Sequence, residues 1–112
     1  MSTNMYDGMT VEQVISSVYE YKELSDFLED DRVDRCMGLM AQTYGSQGNI
    51  PPLKVAMLIV ELQNLSSHCA TKAIFYQTIG KGEPDAAHKK NIYYAMRDAA
   101  SKLSDSMKYL MK

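Results

Sequence analysis

The chain has 112 residues, 46% hydrophobic and 23% charged, with a net charge of −2. That composition can bury a core within one domain and excludes a wholly disordered chain. The net charge hides a division: residues 1–50 carry nine acids against three bases, and residues 51–112 carry nine bases against five acids. With acids scattered among those bases, non-specific attraction to nucleic acid is weak. The division suggests instead an acidic half lying on a basic half, within one chain or between two. The longest apolar run, Val55–Val60, is far short of a membrane span. No basic region followed by an apolar stretch opens the chain, so no signal peptide is expected. Cys36 and Cys69 have no framework spacing. A cytoplasmic protein with reduced thiols and no membrane contact is the expectation. Nine Met and no Trp suit helix packing, since Met fills irregular gaps and favours helices.

Residues 1–9 read as a flexible tail. Thr10-Val11-Glu12-Gln13 then fits a capping box, and Val11, Val14, Ile15 and Val18 follow at helical spacing. Tyr21, Leu24 and Leu28 can continue that face, giving a first helix over about 10–29. Glu29-Asp30-Asp31 breaks the phase. Acids oppose the dipole at a helix C-terminus and suit an N-terminus, so a second helix is expected from Asp31 to Thr43. Its apolar face is Val33, Cys36, Met37, Met40 and Tyr44. Gly45-Ser46-Gln47-Gly48-Asn49 is the clearest loop and the expected hinge.

Pro51-Pro52 can open a third helix, where proline is tolerated in the first turn. Val55, Leu58, Leu62, Leu65, Cys69, Ala73 and Tyr76 recur every three or four residues, and Met57, Ile59, Val60 and Ile74 widen the stripe. Gly80 ends this helix, and Pro84 or Asp85 starts a fourth along Ile92, Met96, Ala99, Leu103, Met107 and Leu110. The short Gly80–Pro84 linker forces the two long helices to lie antiparallel. The expectation is an all-α, four-helix-bundle-like fold. Two shorter acidic helices within 10–44 cover a long antiparallel hairpin over 51–112, the whole of 10–112 forming one domain.

No cluster specifies a reaction. Cys36, His68, Cys69 and His88 lack the close pairs from which zinc sites are built. Asp30, Asp31 and Asp34 lack the alternating oxygen ligands and glycine turn of a calcium loop. Gly80-Lys81-Gly82 follows a helix rather than a strand, and no Ser or Thr follows its Lys, unlike a phosphate loop. A non-enzymatic chain without cofactor is therefore expected.

Two surfaces remain. The third helix is apolar on too many sides for one neighbour, which predicts a homo-oligomer or a partner protein. Leu62, Met107, Leu110 and Met111 are the candidate contacts. The alternative is nucleic acid held at the tip of the hairpin. Lys72, Lys81, Lys89, Lys90, Tyr94 and Arg97 would supply cations and a stacking ring there.

The segment His88-Lys89-Lys90-Asn91-Ile92-Tyr93-Tyr94-Ala95-Met96-Arg97, with Lys108-Tyr109-Leu110, resembles small helical proteins encoded by tailed bacteriophages. The resemblance covers the hairpin and implies a protein made in a bacterial cytoplasm that acts by binding. It assigns no role to any residue.

Overall fold

Thr10 and Gln13 start the first helix as a reciprocal pair. The Gln13 amide donates to the Thr10 hydroxyl at 3.2 Å, and the Thr10 amide donates to the Gln13 side-chain oxygen at 2.9 Å. In the computed structural model, which describes residues 4–19, 27, 29–44 and 52–109, this is the N-terminus of α1 (Val11–Tyr19). It is followed by α2 (Asp31–Tyr44), α3 (Pro52–Gln77) and α4 (Ala86–Lys108). The described residues contain no strand. The expected continuation of the first helix through Tyr21, Leu24 and Leu28 lies outside the described residues, as does the Gly45–Asn49 hinge.

Asp30 caps α2. Its carboxylate accepts the Arg32 amide at 3.0 Å, and its carbonyl accepts the Asp34 amide at 2.9 Å. The break expected near Glu29 is therefore a helix start with its own side-chain cap.

α3 and α4 form the long antiparallel pair, with α2 packed on α3 and α1 on α4. The 26 residues of α3 give a rod of about 39 Å at 1.5 Å per residue, close to the longest dimension of 46 Å. The turn depends on Gly80, which is buried and whose amide reaches back to the Phe75 carbonyl at 2.8 Å. A methyl group on Gly80 would overlap the Phe75 ring. α4 starts differently: Asp85 is left-handed at φ 59° and makes no side-chain cap bond. Asp tolerates that conformation better than most side chains.

One core joins all four helices. Val14 and Val18 of α1, Val33 and Cys36 of α2, Leu58, Leu62 and Leu65 of α3, and Ile92 and Met96 of α4 are all buried in it. Ala95, Ala99 and Ala100 are buried too, on the face where small side chains let α4's neighbours approach. The N-terminal pieces thus cover their own hairpin.

The expected flexible tail at 1–9 needs correction for residues 4–9. Tyr6 is 1% exposed and its hydroxyl is hydrogen-bonded to His88 Nε2, with the two rings stacked at 5.6 Å. Asn4 donates to the Asn91 carbonyl at 2.7 Å. A single aromatic among scattered methionines carries no helical periodicity, so its seat on α4 is invisible until α4 has a place.

Candidate interaction surfaces

The residues expected to bind a partner divide in the structure. Leu62 is 0% exposed and Met107 is 3% exposed. Both belong to the chain's own core, which corrects their assignment to a partner surface. Their helical stripes are the ones that α2, α4 and α1 cover. Leu110 and Met111 lie outside the described residues.

Met5, Tyr19, Ile79 and Tyr109 are exposed singly elsewhere, and a further set of exposed apolar residues lies on the opposite side of α3. Leu53 (72% exposed), Met57 (45%), Val60 (53%) and Ile74 (54%) stand on one stripe of that helix. Asn64, Ser67 and Thr71, also exposed, continue the stripe between Val60 and Ile74. Ala56, Met57, Val60 and Glu61 line an open depression at the apolar end. Arg32, Asn64, Ser67, His68 and Thr71 line a polar one midway along it. The width of the α3 pattern was the sequence signal for this surface. Which of its residues faced outward required the positions of α2 and α4.

The hairpin tip gathers the expected cations but largely onto the chain's own rings. Arg97 sits 4.7 Å from the Tyr94 ring centre, Lys89 5.6 Å from Tyr76, and Lys72 6.0 Å from Phe75. Tyr94 donates its hydroxyl to Gln77 at 2.8 Å, which ties α4 to the end of α3. Arg97 also pairs with Asp98 at 2.9 Å. Lys90 lines an open polar hollow with Asn4, Asp7, Tyr94, Arg97 and Asp98. Lys81 is exposed in the turn, beside the exposed acids Glu83 and Asp85. The tip is therefore of mixed charge.

A third group of polar side chains lies inside the fold and escaped the sequence reading. Asp30, at the start of α2, accepts His68 Nε2 from α3 at 2.8 Å and the Tyr93 hydroxyl from α4 at 3.1 Å. Burial pushes the Asp30 carboxyl up. Hydrogen bonds from His68 and the Arg32 amide, the His68 charge and the Tyr93 hydroxyl together outweigh it, so the carboxyl lies below its ordinary value. The Tyr93 hydroxyl is pushed up by burial and then by Asp30. Tyr93 also packs edge-on against Phe27 and stacks on Tyr76. Three elements meet at one carboxylate. Because its partners are 38 and 63 residues away in the chain, no local pattern announces the group.

Cys36 and Cys69 are both buried. Burial, then Glu61, pushes the Cys36 thiol up to about 12. Burial pushes Cys69 up as well, with Asp30 and Cys36 adding to it. Both thiols stay protonated at neutral pH, and a nucleophile or metal ligand needs the thiolate. His68 is bound to Asp30 and His88 to Tyr6, so the two histidines serve different joints of the fold. Among the described residues, no three His, Cys, Asp or Glu side chains group to hold a metal ion. None of the described helices is long and apolar enough to cross a membrane.

No family model, curated protein or solved structure matches this chain.

Proposed function

We propose that this chain is a non-enzymatic helical interaction module that self-associates through the outer face of α3. The observation that carries the reading is the exposure of Leu53, Met57, Val60 and Ile74 on one stripe of the central helix. Single exposed apolar residues need no explanation, but an aligned set on an ordered helix is a surface that water covers poorly. A partner protein presenting an apolar helix would use the same face. The non-enzymatic part rests on the buried, protonated thiols and on two histidines engaged in internal bonds.

The test is absolute mass by light scattering on a sizing column, at low and high salt and across a wide range of protein concentration. An apolar seam gives a species above 12.6 kDa that survives high salt, because screening weakens charge attraction and not apolar burial. A monomer at every concentration and salt overturns the reading.

Nucleic acid at the tip is the second reading, supported by the convergence of Lys72, Lys89, Lys90 and Arg97 at one end of the hairpin. It ranks lower because cations of the chain itself already lie against Phe75, Tyr76 and Tyr94. Salt-sensitive oligonucleotide binding that Lys90→Ala with Arg97→Ala weakens would promote it. No binding at low salt removes it.

A further inference from the structure

The polar hollow midway along α3 holds side chains that the fold orients but leaves unsatisfied. Asn64, Ser67, His68 and Thr71 recur at helical spacing and share one face, and Arg32 lines the same hollow from the first turn of α2. One side of the His68 ring is fixed. The Asp30 carboxyl lies below its ordinary value and is ionised at neutral pH. It can only accept, so His68 Nε2 carries the proton of the 2.8 Å bond between them. The other ring nitrogen, Nδ1, and the Arg32 guanidinium have no hydrogen-bond or ion-pair partner among the described residues. Nδ1 is open to water, because the one buried side-chain atom without a partner among those residues is Ser104 Oγ. Thr71 is spent on its own helix, donating to the Ser67 carbonyl at 3.1 Å.

We infer that this hollow is a phosphate site, in which Arg32, His68, Asn64 and Ser67 hold an inorganic phosphate ion or the phosphate of a small monoester. The guanidinium donates to two phosphate oxygens in its forked geometry. Nδ1 of a neutral His68 accepts a P–OH, and Nδ1–H of a charged His68 donates to a P–O−. Phosphate therefore satisfies the ring in either state, which chloride, sulfate and an ionised carboxylate do not. The Asn64 amide and the Ser67 hydroxyl are further donors at the same place.

The surroundings limit the ligand's size and charge. Glu29, Asp31 and Asp34 are exposed just before and within the first turn of α2, and Glu61 stands three residues before Asn64 on α3. These acids repel a polyanion, so the site takes a small phosphate and not a nucleic acid. The hollow is open, so a short ester group projects into water. The inference does not rest on self-association.

Proton NMR of the two histidine rings tests it. The full chain is held at one concentration and one pH while inorganic phosphate replaces chloride at constant ionic strength. The His68 resonance should shift and saturate. That of His88, bonded to Tyr6, should stay and serves as the control. Arg32→Ala should weaken phosphate about tenfold, the loss of a charge-assisted hydrogen bond, with Tm nearly unchanged. Saturation by methyl phosphate as well as by inorganic phosphate identifies the ester class, and saturation by inorganic phosphate alone identifies the free ion. Absence of a saturating His68 shift up to about 50 mM phosphate overturns the site. An equal shift of both rings, or one that Arg32→Ala leaves unchanged, also overturns it, because each reports bulk salt and not a bound ion. Sulfate binding as tightly as phosphate overturns the assignment of the ligand.

Discussion

Removing the Asp30 carboxylate tests the joint that ties three helices together. Asp30→Ala deletes the cap of α2, a loss of about 1 kcal/mol. It also strands the Tyr93 hydroxyl, on a residue 4% exposed, at about 1–3 kcal/mol for a buried donor without a partner. The hydrogen bond with His68, whose side chain is 29% exposed against 11% for Asp30, adds about 0.5 kcal/mol, the low end for a hydrogen bond within reach of water. The expected total is about 3 kcal/mol, or about 12 °C in Tm at roughly 4 °C per kcal/mol for a domain of this size. Urea unfolding followed by circular dichroism, at one fixed protein concentration because association stabilises, measures it. Asp30→Asn keeps an acceptor for the cap and for Tyr93, so it should cost about half as much. Tyr93→Phe removes the stranded hydroxyl. The double variant Asp30→Ala with Tyr93→Phe should therefore be more stable than the sum of the singles by about 1 kcal/mol or more. Strict additivity, or a loss below about 1 kcal/mol for Asp30→Ala, would refute the shared joint.

The same carboxylate sets an acid limit. Its value in the fold lies below its ordinary one, so its contribution is present above the unfolded value of about 3.9 and is lost as pH falls through the folded value. Below about pH 4 the parent should lose stability more steeply than Asp30→Asn, as acid titration of unfolding would show. Leu62→Ala, at a 0% exposed position, should cost about 3 kcal/mol of fold stability. Met57→Ala should leave the monomer's stability nearly unchanged and weaken association, and mass measurement beside urea unfolding separates the two effects. Ser104→Ala removes a buried hydroxyl that has no hydrogen-bond partner among the described residues and should be neutral or stabilising by up to about 1 kcal/mol. Gly80→Ala forces the Phe75 ring aside and should cost about 1–3 kcal/mol, read as a lowered Tm.

The helices were legible because their causes are local. Thr10 and Gln13 are three residues apart and cap each other whatever the rest of the chain does. The three-four recurrence of apolar residues defines α3 and α4, and Gly80 and Pro84 mark the linker between them, which runs from Thr78 to Asp85. The antiparallel pairing followed because a connection this short, Thr78–Asp85 in the structure, allows no other neighbour. Even the excess apolar width of α3 could be read without coordinates. Which side of that width stayed exposed could not. Leu62 and Met57 are equally apolar and differ only in whether α2 and α4 lie over them, which long-range packing decides. The same holds for Tyr6 on His88 and for Asp30 between His68 and Tyr93. Each is a joint between residues tens of positions apart, brought together only when helices already formed by local preference dock through their apolar faces. The amino-acid order determined the helices of the described residues and the antiparallel pairing of the two long ones. Tertiary packing decided which surfaces remain exposed.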